Sequence, residues 1–134
     1  MAGPFVYAKV DDLEGKDKVS NEACASLVQW FTKAPADAKE TWKEGIKVKG
    51  NGATIVKGTA VATFVNGRYP RTLHNKHAAL YLYQEDSGVW VMDQWEGDSK
   101  PKIAKRIMRY LGTNDDDTYK DPSNNGDALS VIMS

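Results

Sequence analysis

Two apolar runs separated by a short polar link constrain the fold of this chain more than any other feature of its sequence. The runs cover residues 77–83 and 89–95, and residues 84–88 (QEDSG) join them. Tyr, Val and Trp, which are common in strands, recur in the runs, and the link has the polar, glycine-containing composition of a hairpin loop. We therefore predict a β-hairpin here.

A helix is predicted before the hairpin, over residues 19–31, where apolar residues recur at helical spacing. Ser20 or Asn21 can cap its start, and Glu22 would place a carboxylate in the first turn. With Asn21 as the cap, Cys24 is the third helical residue.

The remaining apolar segments predict further strands. Residues 59–65 are rich in β-branched side chains, residues 127–133 alternate as a closing strand, and residues 102–111 fit either a short helix or a strand. Together these elements predict an α+β fold, with the N-terminal helix packed on an antiparallel β-sheet. The length of 134 residues suits a single domain over residues 1–134.

Charge and hydropathy limit the classes of partner. Eighteen basic and eighteen acidic residues cancel, so we expect neither nucleic acid nor membrane insertion. The first residues lack the basic start and apolar run of a secretory signal, so we expect a chain made in the cytoplasm without a signal peptide.

The single cysteine, Cys24, is a candidate nucleophile because the predicted helix places it in the first turn. The positive end of the helix dipole lowers the pKa of a thiol there. The alternative is a small buried apolar residue. Since one cysteine cannot form an intramolecular disulfide, the thiol is free to react.

Two histidines, His74 and His77, are candidates for the general base. His77 opens an apolar strand whose inner face would pack on the cysteine helix, whereas His74 belongs to a loop. Antiparallel pairing of the hairpin can return Asp93 to the neighbourhood of His77, where it would orient the ring. Gln94 points to the opposite face of a regular strand, so the register decides between the two.

A cofactor is not expected from these residues. Two histidines three positions apart and one distant cysteine lack the ligand spacing of a structural zinc site. We therefore predict a site without metal or cofactor.

The order of a helix-start cysteine, a strand-start histidine and an acid or amide on the next strand resembles the CHAP and NlpC-type peptidoglycan amidases, which are papain-like enzymes. More specifically, the chain resembles the type VI secretion amidase effectors, and among them the third effector family. The segments that carry this resemblance cover residues 21–29, 58–70, 77–82 and 89–95.

The resemblance implies a toxin that the type VI secretion apparatus delivers into the periplasm of a rival bacterium. Its substrate there would be the stem peptides of peptidoglycan. For the third family the implied cut is the D,D-crosslink between meso-diaminopimelate and D-alanine, whereas the first and fourth families cut the γ-D-glutamyl–diaminopimelate bond. A cognate immunity protein would plug the active site in the producing cell. The implied catalytic residues are Cys24, His77 and Asp93.

One position departs from the pattern of related enzymes, which often carry Gln or another polar residue directly before the cysteine. Ala23 occupies this position here and has no polar side chain. Backbone N–H groups at the helix start, including that of Cys24, are then the expected donors to the oxyanion.

Three further residues are candidate substrate contacts: Trp95 as a wall of the cleft, Arg68 in the Asn66-Gly67 turn as a partner for a carboxylate, and Gln94. The function predicted from the sequence is a cysteine amidase that acts on peptidoglycan through a thioester on Cys24. The alternatives are a non-catalytic interaction protein of the same fold and an amidase that cuts the γ-D-glutamyl–diaminopimelate bond.

Overall fold

One antiparallel sheet organises the computed structural model, which describes residues 2–134. Its six strands run in the order β1-β6-β2-β3-β4-β5. The strands are β1 (Lys43–Lys47), β2 (Ala60–Thr63), β3 (Ala78–Glu85), β4 (Gly88–Asp93), β5 (Ala104–Arg109) and β6 (Leu129–Met133). Two helices, α1 (Cys24–Thr32) and α2 (Ala38–Thr41), precede the first strand.

Helix α1 packs on one face of the sheet, mainly against β3. Leu27 and Val28 of the helix are fully buried and belong to the same core cluster as Leu80 and Met92 of the hairpin. Burying a side chain of this size stabilises a fold by roughly 1.5–3 kcal/mol. This core fixes the helix over the sheet and thereby places its first residue beside the start of β3.

A second core covers the other face of the sheet. Its members include one residue from each of four neighbouring strands: Val61, Tyr81, Val91 and Met108. Val48, from the segment after β1, belongs to the same core. Because both faces of the central strands are buried, the strands show continuous apolar runs rather than a strict alternation. All four residues of β2 are buried.

The predicted α+β fold, a helix on an antiparallel sheet, is confirmed. The predicted hairpin is β3 and β4, with Leu80 opposite Met92 and Glu85 opposite Gly88. The segment over residues 102–111 contains the strand β5 rather than a helix, and β6 closes the sheet between β1 and β2.

The start of the cysteine helix differs from the prediction. Helix α1 begins at Cys24 with Ala23 as its N-cap, so Cys24 is the first and not the third helical residue. Ser20 and Glu22 adopt positive φ values of 55° and 70°, which no right-handed helix contains. The Asn21 carboxamide accepts from the Ala23 N–H at 3.1 Å and so caps the turn that precedes the helix.

Strand β1 and helix α2 were not predicted from the sequence. The side chains of β1 are exposed or only half buried because it is an edge strand, so it lacks the apolar pattern of its neighbours. Within residues 2–134, no helix is both long enough and apolar enough to cross a membrane.

Candidate active site

The Cys24 thiol lies at the N-terminus of α1, where the first backbone N–H groups of the helix point past the end of the helix. Burial raises the pKa of the thiol. The hydrogen bond and the positive charge of His77 lower it by more, and hydrogen bonds from the Ala78 N–H and the Tyr69 hydroxyl lower it further. The result is a thiol pKa of about 7. A substantial fraction of Cys24 is therefore thiolate at neutral pH.

His77 is held directly before β3 by bonds from both its backbone and its ring. Its backbone N–H donates to Thr63 Oγ1 at 3.0 Å, and its carbonyl accepts from the Thr63 N–H at 3.0 Å. Ring Nε2 lies 2.6 Å from Asp93 Oδ2, which leaves Nδ1 to face the thiol. Burial lowers the pKa of His77, but the hydrogen bond with Asp93 and the contact with Cys24 raise it to about 9.

Asp93 ends β4 as a fully buried carboxylate that three basic side chains surround. Besides His77, Lys100 Nζ donates to Oδ1 and Arg106 Nε donates to Oδ2 at 2.7 Å. Burial raises the pKa of Asp93, but the hydrogen bond from His77 and the charges of His77, Arg106 and Lys100 hold it well below its usual range. Asp93 therefore stays ionised next to the imidazole.

The thiol pKa of about 7 and the imidazole pKa of about 9 favour a thiolate–imidazolium pair at neutral pH. The two groups titrate as one coupled system. Such a pair can attack a carbonyl carbon with sulfur and protonate a leaving amine with the ring, which are the two operations that amide cleavage through a thioester requires.

Gln94, the residue after β4, bonds to the segment before α1 and not to His77. It is fully buried, and Oε1 accepts from the Val19 N–H at 2.9 Å. Its Nε2 donates to the carbonyls of Val19, at 3.1 Å, and of Ala23, at 2.8 Å. The structure thus pairs Asp93 and not Gln94 with His77, and it places the buried Gln94 side chain against the N-cap of the cysteine helix.

Trp95 covers the charged cluster around Asp93. Lys100 Nζ lies 4.6 Å and the Arg106 guanidinium 5.0 Å from the centre of its ring. Its ring centre is 6.4 Å from that of His77, in an edge-on arrangement. Trp95 is half-buried next to His77, so its exposed part can form a wall of a cleft there.

Arg68 lines a groove of about 610 Å³. Tyr69 also lines this groove, and its hydroxyl lies 3.8 Å from Cys24 Sγ, so one residue connects the groove with the thiol. Two further basic residues, Lys39 and Arg71, line the groove. Glu40 is the acidic residue of its lining and forms an ion pair with Arg71. The groove therefore has an excess of positive charge. His74 is exposed in the loop between β2 and β3.

Sequence reasoning missed three residues that contact the proposed catalytic groups: Tyr69, Lys100 and Arg106. Each lies far in sequence from Cys24 or in a segment without a motif, so the contacts arise only when the sheet forms. In the part of the chain that the structure describes, no cluster of three or more His, Cys, Asp or Glu side chains is arranged to hold a metal ion.

Comparisons with known proteins find relatives that match nearly the whole chain. A family model described as Domesticated amidase effector 2 matches residues 7–132. A type VI secretion amidase effector 2 protein of Salmonella typhi is 41% identical and aligns over 96% of this chain and 98% of its own. A domesticated amidase effector 2 of the tick Ixodes scapularis is 37% identical over 96% of this chain and 79% of its own.

A solved structure, of type 6 secretion amidase effector 2, superposes with a TM-score of 0.89 at 40% sequence identity and covers 98% of this chain and 95% of that one. The resemblance to the type VI secretion amidase effectors and the papain-like fold is confirmed, and so is the expected amidase class. The particular effector needs correction, because the matches are to the second and not to the third. The chain belongs to the domesticated amidase effector 2 family.

Proposed function

We propose that this chain is a cysteine endopeptidase that hydrolyses the D,D-crosslink of peptidoglycan, the amide between the meso-diaminopimelate side chain and D-alanine. The observation that carries the proposal is the Cys24–His77–Asp93 arrangement at one end of the sheet, within a family of amidases. Residues 1–134 act as one catalytic domain that needs no metal or cofactor.

In the first half of the reaction, the Cys24 thiolate attacks the D-alanine carbonyl carbon. The carbonyl π electrons move to oxygen, and backbone N–H groups at the start of α1 stabilise this oxyanion. When the intermediate collapses, the carbon–nitrogen bond breaks and His77 Nδ1 gives its proton to the leaving amine. A thioester on Cys24 remains.

In the second half, His77 removes a proton from water, and the hydroxide attacks the thioester through another oxyanion. Collapse releases the D-alanine carboxylate and returns the thiolate. Asp93 holds the ring in the orientation that both proton transfers require, and its negative charge stabilises the imidazolium.

The positively charged groove suits a substrate with carboxylates. The leaving diaminopimelate side chain of the D,D-crosslink carries a carboxylate on the carbon that bears its amine. Arg68 binds this carboxylate, with Lys39 adding to the field, and Trp95 forms the wall of the cleft on the His77 side.

The cellular role that we propose is that of an antibacterial toxin. The Salmonella relative and the protein of the matching structure are both type VI secretion effectors by name. This supports export by the same apparatus from the cytoplasm into the periplasm of a target cell. An enzyme with this activity endangers its producer, so a cognate immunity protein that covers the cleft around Cys24 is the expected partner.

The test is digestion of purified Gram-negative peptidoglycan with the wild-type protein and with Cys24→Ala, followed by chromatography and mass spectrometry of the muropeptides. We expect the wild-type protein to convert crosslinked dimers into tetrapeptide monomers and the variant to leave them intact. Ser87→Ala, at an exposed position in the link between β3 and β4, at the far end of the hairpin from His77 and Asp93, is the control and should behave like the wild type.

Two results would contradict this proposal at different levels. If stems are shortened at the γ-D-glutamyl bond and the reaction needs Cys24, the protein is an amidase as proposed, but the bond that it cuts is the γ-D-glutamyl–diaminopimelate bond and not the D,D-crosslink. Intact dimers with both proteins, under conditions in which Cys24 reacts with iodoacetamide, would favour the non-catalytic interaction protein of the same fold.

A further inference from the structure

We propose that Tyr69 is an additional catalytic residue, whose hydroxyl donates a hydrogen bond to the oxyanion that forms at the carbon bonded to Cys24. The inference rests on the proposed thioester mechanism and extends it. It supplies the side-chain donor that the residue before the cysteine cannot provide, because that residue is Ala23.

The position of Tyr69 fits this role. Its hydroxyl lies 3.8 Å from Cys24 Sγ, and that sulfur is its hydrogen-bond partner in the described part of the chain. The oxyanion is one carbon atom away from the sulfur, so a hydroxyl at this distance can reach the separation of about 3 Å that an oxyanion donor needs.

The ring of Tyr69 is held rigidly, which is the second requirement for a preorganised donor. Tyr69 is only 3% exposed. The centre of the Tyr69 ring lies 4.9 Å from that of Trp42. Lys76 Nζ lies 5.2 Å from the centre of the Tyr69 ring, in a cation–π contact. These neighbours fix the hydroxyl beside the thiol before any substrate binds.

Tyr69 can donate but does not ionise in this environment. Burial and the negative charge of the Cys24 thiolate raise the pKa of its hydroxyl well above the usual value. The phenol therefore keeps its proton throughout turnover, as the hydrogen-bond donor of an oxyanion hole must.

The electron and proton balance of the step is simple. A carbon–sulfur bond forms as the thiolate attacks, the carbonyl π pair moves to oxygen, and the Tyr69 O–H shares its proton without transferring it. Collapse restores the carbonyl and expels the leaving group. The Cys24 N–H, at the uncapped start of α1, is the second donor.

Tyr69→Phe tests the proposal because it removes the hydroxyl and keeps the ring. Two reactions of Cys24 are compared on the same sample: alkylation by iodoacetamide, which needs the thiolate but forms no oxyanion, and acylation by p-nitrophenyl acetate, which forms one. The Cys24→Ala rate is subtracted as background. The ratio of the acylation rate to the alkylation rate is unaffected by any loss of folded protein. It also does not depend on which natural substrate is cut.

We expect Tyr69→Phe to leave alkylation within about threefold of the wild-type rate and to slow acylation about tenfold, with a loss of about 10²-fold in kcat on crosslinked muropeptides. Tyr81→Phe is the matched control. Tyr81 is an equally buried tyrosine on the other face of the sheet, so its ratio of the two rates should equal that of the wild type.

The proposal is overturned if Tyr69→Phe acylates at the wild-type rate. It is also overturned if acylation and alkylation fall by the same factor, since the hydroxyl would then act on the thiolate alone. A wild-type protein that acylates in a Tyr69-dependent way but leaves peptidoglycan intact would refute the proposed substrate and keep the role of Tyr69.

Discussion

Two regions flank the Cys24 thiol, and they differ in how firmly the protein holds them. On one side, Asp93 is fully buried, and its oxygens bind His77, Lys100 and Arg106. On the other side, the charged groups of the groove around Arg68 are exposed. Buried charges cost several kcal/mol when they lose a partner, whereas exposed ion pairs contribute about 0–1 kcal/mol. The proposed catalytic groups therefore depend on the interior, and the proposed substrate contacts depend on a surface that can change at little cost to the fold.

Asp93→Asn should produce the largest effect, because it leaves the buried ammonium group of Lys100 and the half-buried guanidinium of Arg106 without their anion. We expect the free energy of unfolding to fall by about 3–5 kcal/mol. We expect kcat to fall by roughly 10²–10⁴-fold, since the amide cannot hold the ring as the carboxylate does. Urea unfolding and turnover of muropeptides measure the two losses.

A second variant separates the two roles of Asp93. Combining Asp93→Asn with Lys100→Met removes one uncompensated cation, so part of the stability should return while the activity stays low. Recovery of both together would contradict a direct role of Asp93 at His77. Asp115→Asn, at an exposed loop position, is the surface control and should change stability by less than about 0.5 kcal/mol.

The pH dependence of turnover should show the coupled pair directly. The Cys24 pKa of about 7, below the usual thiol value, means that kcat/KM rises as the pH increases through about 7 and the thiolate forms. The His77 pKa of about 9, above the usual imidazole value, means that kcat/KM falls as the pH increases through about 9 and the imidazolium is lost. We expect a bell with these two limbs, measured on soluble crosslinked muropeptides. An acidic limb at the ordinary thiol pKa, near 8.5, would contradict the pairing.

Arg68→Gln should have the smallest effect, because it changes the exposed region only. We expect KM to rise about three- to tenfold, with kcat nearly unchanged and stability within about 0.5 kcal/mol of the wild type. Muropeptides in which the diaminopimelate carboxylate is a carboxamide should not show the increase. Arg109→Gln is the matched control, because Arg109 is exposed opposite Gly88, at the other end of β5 from the site. If Arg68→Gln raises KM equally for the carboxylate and the carboxamide muropeptides, Arg68 does not bind the diaminopimelate carboxylate.

The sequence predicts the parts of the molecule that local patterns encode. The hairpin follows from two apolar runs, and the approach of Asp93 to His77 follows from antiparallel pairing once the hairpin exists. The start of α1 is not predicted correctly, since the cap residue Asn21 closes a turn instead of the helix. Local cap chemistry is compatible with both structures, and only the packing of the segment decides between them.

The residues around the proposed catalytic groups could not be found in this way. Lys100 lies in a polar loop whose sequence predicts exposure to solvent. Lys100 is nevertheless only 7% exposed, because its ammonium group reaches Asp93. Tyr69 meets Cys24 across 45 residues, and the Asn66-Gly67 turn before it does not indicate that contact. Such contacts depend on tertiary structure, and no periodicity of the chain records them.

Asp93 and Gln94 are neighbours in the chain, yet Asp93 binds the ring of His77 and Gln94 supports the start of the helix that carries Cys24. The peptide unit that joins them, at the end of β4, therefore helps to set the spacing between Cys24 and His77. Surface loops elsewhere can lengthen, shorten or be exchanged during evolution without altering that spacing. In protein engineering, this makes the loops suitable positions for grafting new specificity, whereas one inserted residue between positions 93 and 94 would separate the nucleophile from its base.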